Sequence, residues 1–120
     1  MHSAGEQLDK AWNQLERLVN KANTSTSPSE TQYALVARVA GAFPDVRNGV
    51  AYLNAGDIWK YGTTSDPAGR YSATALNALG LRMLVQSTGT HYEVLAQEKL
   101  RLIEYFIANG TLPPGNRIFK

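Results

Sequence analysis

The chain contains no cysteine, which excludes disulfides and thiolate metal sites. No apolar run approaches the ~20 residues that span a bilayer. The opening residues lack the basic-then-apolar order of a signal peptide. Charge of one sign is not in excess either. Twelve Lys and Arg stand against ten Asp and Glu, a net charge of +2 and a pI near 9.0. That balance is compatible with nucleic acid but far from histone-like. What remains is an ordinary soluble composition, 43% hydrophobic and 18% charged over 120 residues. This length suits one compact domain with its own core and is too short for two. No internal repeat is present.

Residues 5–22 predict an amphipathic helix. Leu8, Trp12, Leu15, Leu18, Val19 and Ala22 recur at helical spacing, with Glu6, Asp9, Lys10, Glu16 and Arg17 between them. The Ser- and Thr-rich stretch from Asn23 to Ser29 reads as a linker. Tyr33 to Ala40 reads as a strand, and Phe43 to Gly49 as a loop. Val50–Leu53 and Ile58–Tyr61 read as two strands of a β-hairpin around Asn54–Asp57. In a regular hairpin of that kind Tyr52, Trp59 and Tyr61 share a face and Lys60 points away from them. Ser72 caps a short helix from Ala73 to Leu79 that Gly80 stops. Leu81–Ser87 is a further strand, and a long helix runs from His91 to Ala108, ended by Asn109 and Gly110. The proline-containing tail from Leu112 is expected to pack back through Ile118 and Phe119. The order is that of a small α+β domain with a mainly antiparallel sheet flanked by helices.

The segment from Gly56 to Ser72, GDIWKYGTTSDPAGRYS, carries the strongest chemical suggestion. A strand ends at Gly62, where the missing side chain lets another group approach closely. Arg70 follows eight residues later on a Ser-Asp-Pro-Ala-Gly loop. Its guanidinium is a permanently charged planar fork suited to phosphate. Tyr52, Tyr61 and Tyr71 surround it in sequence, either as sheet-packing aromatics or as site residues. Trp12 and Trp59 read as packing anchors.

The long helix supplies a second clue. His91, Val94, Leu95, Leu102, Tyr105 and Phe106 share one arc, while Glu93, Gln97, Arg101 and Glu104 share the polar one. Glu98 falls within the apolar arc. Burying an unpaired carboxylate costs several kcal/mol on rough estimates, so Glu98 requires a partner: a metal, an arginine or a substrate proton. A structural ion pair and a functional carboxylate both satisfy that requirement. His91 reads as a capping or surface residue, with a base role as the alternative. Asn116, after Pro113-Pro-Gly115, reads as a turn residue.

With strand, glycine, loop, arginine, helix and buried glutamate in that order, the chain resembles the GIY-YIG nuclease superfamily. In this resemblance Gly49-Val-Ala-Tyr52 looks like the first motif and Lys60-Tyr-Gly62 like the second. The first motif carries an extra residue, and Lys60 stands where the family usually has tyrosine. Arg70 keeps the family spacing, Glu98 looks like the metal ligand and Asn116 aligns with the late asparagine. The similarity spans roughly residues 49–116. The stretch from Tyr33 to Phe119 is also similar to C-terminal toxin domains of bacterial polymorphic toxins of the recombination-hot-spot (Rhs) and contact-dependent inhibition types. These are delivered by a large carrier into the cytoplasm of a target bacterium and neutralised by an immunity protein. On that basis Met1 is expected to begin an expressed fragment.

Together the resemblances imply an N-terminal helix and linker over 1–30 and a GIY-YIG-like nuclease toxin domain over 31–120. The implied activity is metal-dependent phosphodiester hydrolysis, with DNA favoured over RNA and no membrane partner. Mg²⁺ or Mn²⁺ would sit on Glu98, and Arg70 would hold the scissile phosphate. Tyr52 or Tyr61, assisted by Lys60 and with His91 in reserve, would take the proton from water. Tyr71 and Asn116 would contact substrate. Two rival functions use the same residues: an ADP-ribosyltransferase without metal, and a non-catalytic nucleic-acid-binding module in which Arg70 only grips phosphate.

Overall fold

The computed structural model describes residues 4–24 and 26–119. Its elements are α1 (Ala4–Ala22), β1 (Glu30–Ala37), β2 (Gly41–Pro44), β3 (Val50–Leu53), β4 (Ile58–Thr64), α2 (Ala73–Leu79), β5 (Leu81–Gly89) and α3 (His91–Asn109). The fold is α+β, with a three-stranded antiparallel sheet in the order β4-β1-β5 and a separate two-stranded sheet of β2 and β3. Among the described residues no helix is long and apolar enough to cross a membrane.

Helices α2 and α3 follow their local chemistry. Ser72 accepts the Ala75 N–H at 3.0 Å and starts α2, and Gly80, at φ 71°, ends it. Thr90 and Glu93 form a reciprocal capping box at the start of α3. Gly110 ends that helix, its N–H bonded to Phe106 O at 2.8 Å.

The strands depart from the sequence reading, β4 among them running past Gly62 to Thr64. The first strand begins at Glu30 and ends at Ala37, three residues earlier at each end than expected. Gly41–Pro44, read partly as loop, is strand β2 and pairs with β3. The hairpin of Val50–Leu53 with Ile58–Tyr61 does not form: β3 belongs to the small sheet, and β4 pairs with β1. The cause lies in the connection. Gly56 N–H donates to Ala37 O at 2.8 Å, and Ala37 N–H donates to Asp57 O at 2.9 Å. This docks the Asn54–Asp57 turn on the end of β1, which feeds the chain into register beside β1 instead of back along β3.

β1 is the central strand and is buried on both faces from Thr31 to Ala37. Tyr33, Leu35 and Ala37 point to a first face, packed with Phe43, Leu53, Leu81, Trp59, Tyr71, Leu76 and Met83. Ala34 and Val36 point to a second face, packed with Tyr61, Leu102, Phe106 and Leu112. The β2–β3 sheet and α2 thus cover part of one face, and α3 covers the other. α1 lies on the far side of α3 through Ala11, Leu15, Ala96 and Ile103. Of the tail residues expected to pack back, Phe119 does so against Phe106 at a ring separation of 5.2 Å, whereas Ile118 is exposed.

Candidate functional site

The loop before Arg70 is held by one aspartate. Asp66 N–H donates to Thr64 Oγ1 at 3.1 Å, its Oδ1 accepts the Gly69 N–H at 3.0 Å, and its carbonyl accepts the Arg70 N–H at 2.9 Å. A Cβ at position 69 would collide with that carboxylate, so a larger residue there would displace Asp66. Two residues later Ser72 caps α2. Arg70 is therefore delivered from a short segment fixed at both ends.

Its neighbours are two phenols. The Arg70 guanidinium lies 4.3 Å from the centroid of the Tyr71 ring, a cation–π stack. The Tyr71 hydroxyl is 2.9 Å from that of Tyr33, and the two rings meet edge to face at 5.8 Å. Tyr33 pairs across the sheet with Gly62, and a Cβ on Gly62 would fall only 2.5 Å from Tyr33 Cζ. The close approach that Gly62 permits is thus made by the phenol of Tyr33. Burial, and then the bond to Tyr71, push the Tyr33 hydroxyl well above the usual phenol range, while Arg70 pulls the other way. Tyr33 stays protonated at neutral pH.

Lys60 shares this face. The register slips between Leu35 and Val36, so Leu35 pairs with Lys60, Val36 with Ile58, and Trp59 is the extra residue of a bulge. Lys60 thereby stands on the same side as Tyr33 and Gly62, and Tyr61 turns to the opposite side. Arg70 is exposed, and Lys60 and Tyr71 are half-buried. Among the described residues no carboxylate forms an ion pair with Arg70. The Arg70 guanidinium and the Tyr71 hydroxyl together are able to bind an anion and to place donors on its oxygens.

The other expected site residues lie elsewhere. Tyr52 is on β3 in the small sheet and is 83% exposed. Tyr61 packs on the second face against Leu102 and Tyr105, with its hydroxyl pushed up by burial and eased by nearby Arg101. Neither phenol stands with Arg70, and at neutral pH Tyr61 is in its protonated form. His91 bonds Glu30 through Nδ1 at 3.0 Å, and its N–H donates to Ser27 Oγ at 2.8 Å, at the start of α3. Asn116 is 2% exposed and bonds the backbone of Tyr61 on both sides. Trp59 donates its indole N–H to Pro44 O at 2.8 Å, tying the small sheet to β4.

Glu98 is buried, 3% exposed, as its helical position requires. It lies between Val94 and Leu102, on the side of α3 that packs against Ala34 and Val36. The sheet therefore stands between Glu98 and the first-face cluster of Arg70, Tyr71 and Tyr33. The residues do not fit a single centre in which an ion on Glu98 also faces a phosphate on Arg70, and no group of three or more His, Asp or Glu suited to a metal occurs among the described residues.

Tyr33 is the member of the cluster that sequence reasoning passed over. It lies at the start of a stretch read only as a strand. The available pointer was Gly62 in the Lys-Tyr-Gly stretch, because a glycine within a strand leaves room for a large ring across it.

No protein-family model, curated protein or solved structure matches the chain.

Proposed function

We propose that this domain is a nuclease that grips a phosphodiester of nucleic acid at Arg70 and acts as a delivered toxin. The observation that carries the reading is the exposed Arg70 guanidinium, fixed at 4.3 Å over the Tyr71 ring and in no ion pair among the described residues. A rigid, unneutralised guanidinium beside O–H donors is what a phosphate needs. It binds the ground state and takes up the charge that grows in the transition state. Lys60 on the same face adds positive charge along the path of a polynucleotide. The order of motifs resembling the GIY-YIG nucleases and the polymorphic-toxin tails supports the same activity and setting.

In this reading the phenols of the site serve as proton donors. A base role would require phenolate, and an ordinary phenol titrates near pH 10, so about one in a thousand is ionised at pH 7. A cognate immunity protein would cover the Arg70–Lys60 surface with an acidic face, because complementary charge speeds association while the contact itself blocks substrate.

The test is incubation of the purified chain with plasmid DNA, total RNA and tRNA, each with and without a chelator. Cleavage that disappears in Arg70→Ala supports the proposal, and the chelator arm reports directly on the metal requirement that the resemblance implies. A second reading, a non-catalytic binding module, is favoured by the separation of Glu98 from Arg70. Bound but intact nucleic acid in every arm would establish it instead.

A further inference from the structure

Tyr33 and Tyr71 form a hydroxyl pair with unequal access to the surface. Tyr33 is 1% exposed, with its ring laid over Gly62, so no substrate atom reaches it. Tyr71 is half-buried and carries the exposed Arg70 guanidinium against its ring. A bound phosphodiester on Arg70 therefore meets one phenol, that of Tyr71.

We propose that Tyr71 is the proton donor to the leaving oxygen of the cleaved phosphodiester, and that Tyr33 is the positioning residue that orients and supports it. The proposal rests on the nuclease reading above. The two hydroxyls are 2.9 Å apart, and when Tyr33 donates to Tyr71 Oη the Tyr71 proton is left free for the substrate. The Tyr33 hydroxyl is buried and has no other acceptor among the described residues, which favours that direction.

The step balances simply. The oxygen of a water molecule forms its bond to phosphorus and releases a proton to solvent, the bond from phosphorus to the leaving oxygen breaks, and its electron pair stays on that oxygen. The oxygen takes the Tyr71 proton. An alcohol is a far weaker acid than a phenol, so the transfer runs downhill. The resulting Tyr71 phenolate is held by the Tyr33 O–H on one side and the Arg70 guanidinium on its ring, and it recovers its proton from water.

The chemistry has a readout that binding or folding alone does not move. A sulfur in place of the leaving oxygen departs as a thiolate and needs no proton. Two substrates, with the bridging sulfur on the 3′ or the 5′ side of the scissile phosphorus, cover both possible leaving groups. Tyr71→Phe keeps the ring, its contact with Tyr33 and its contact with Arg70. We expect it to slow cleavage of the all-oxygen substrate by ~10²–10⁴, the usual scale of a general acid, and to cleave one of the two sulfur substrates at a rate near wild type. Tyr33→Phe should lose less on oxygen than Tyr71→Phe. A 3-fluorotyrosine at position 71, which leaves packing unchanged and makes the phenol more acidic, should shift the alkaline limb of the rate profile toward lower pH. Equal slowing of oxygen and both sulfur substrates in Tyr71→Phe, with the fluorotyrosine profile unmoved, would overturn the proposal while the nuclease reading stood. Failure of the unmodified chain to cleave any substrate would overturn both.

Discussion

The side-chain amide of Asn116 pairs with the main chain of Tyr61 in both directions. Tyr61 N–H donates to Oδ1 at 2.9 Å, and Nδ2 donates to Tyr61 O at 3.0 Å. One residue earlier, Gly115 N–H donates to Trp59 O at 2.6 Å. The Pro-Pro-Gly-Asn segment thus completes the outer edge of β4, as a fourth strand would. Arg47 clamps the same segment from the other side through Leu112 O at 2.7 Å.

Asn116→Ala is expected to leave two buried main-chain groups of Tyr61 without their partner. Each such loss costs about 1–3 kcal/mol, so chemical denaturation should show a clear fall in midpoint. Affinity for nucleic acid, measured on the folded variant, should stay near wild type. A stable variant with weakened substrate binding would instead place Asn116 in the substrate site.

Gly62→Ala is expected to disturb the site more than the fold around it. The added methyl overlaps the Tyr33 ring, and Tyr33 can move only by giving up its bond to Tyr71. Overpacking of this kind costs about 1–3 kcal/mol. Cleavage should fall further than that stability loss explains, measured below the melting temperature. An alanine variant with unaltered activity would show that the Tyr33–Tyr71 bond is not needed.

Helix ends were legible in the sequence, and the pairing of strands was not. Ser72, Gly80, Thr90, Glu93 and Gly110 announce α2 and α3 because helix ends are set by chemistry within four residues. Glu98 announces its burial because helical periodicity places it between Val94 and Leu102. The same periodicity does not say which face of the sheet the helix covers, so the separation of Glu98 from Arg70 was not legible. Nor was the pairing of β4 with β1, which depends on the Gly56–Ala37 and Ala37–Asp57 bonds across some twenty residues of chain. The bulge at Trp59, which brings Lys60 to the side of Tyr33, belongs to that pairing, and the parity of Lys60 in the sequence allows for a bulge without placing it.

The protonation of Tyr33 gives a pH prediction. Its hydroxyl titrates higher in the folded chain than in the unfolded one, so above about pH 10, where an ordinary phenol ionises, the unfolded state holds fewer protons than the native one. Stability then falls as pH rises, and the contribution is fully present below that point. Melting temperatures between neutral pH and the alkaline range should decline less steeply in Tyr33→Phe than in wild type. Parallel curves would mean that Tyr33 ionises as readily folded as unfolded.

The most direct test of the central claim is cleavage and thermal unfolding measured on one preparation of Arg70→Ala. The local backbone is fixed by Asp66 and Ser72 and does not need the guanidinium. The variant should therefore melt close to wild type. Its turnover should drop by ~10²–10³, the scale seen when a preorganised donor to transition-state charge is removed. Arg70→Lys should recover little, since an ammonium does not reproduce the planar fork. A variant that melts at a clearly lower temperature yet cuts at the wild-type rate while folded would contradict the account.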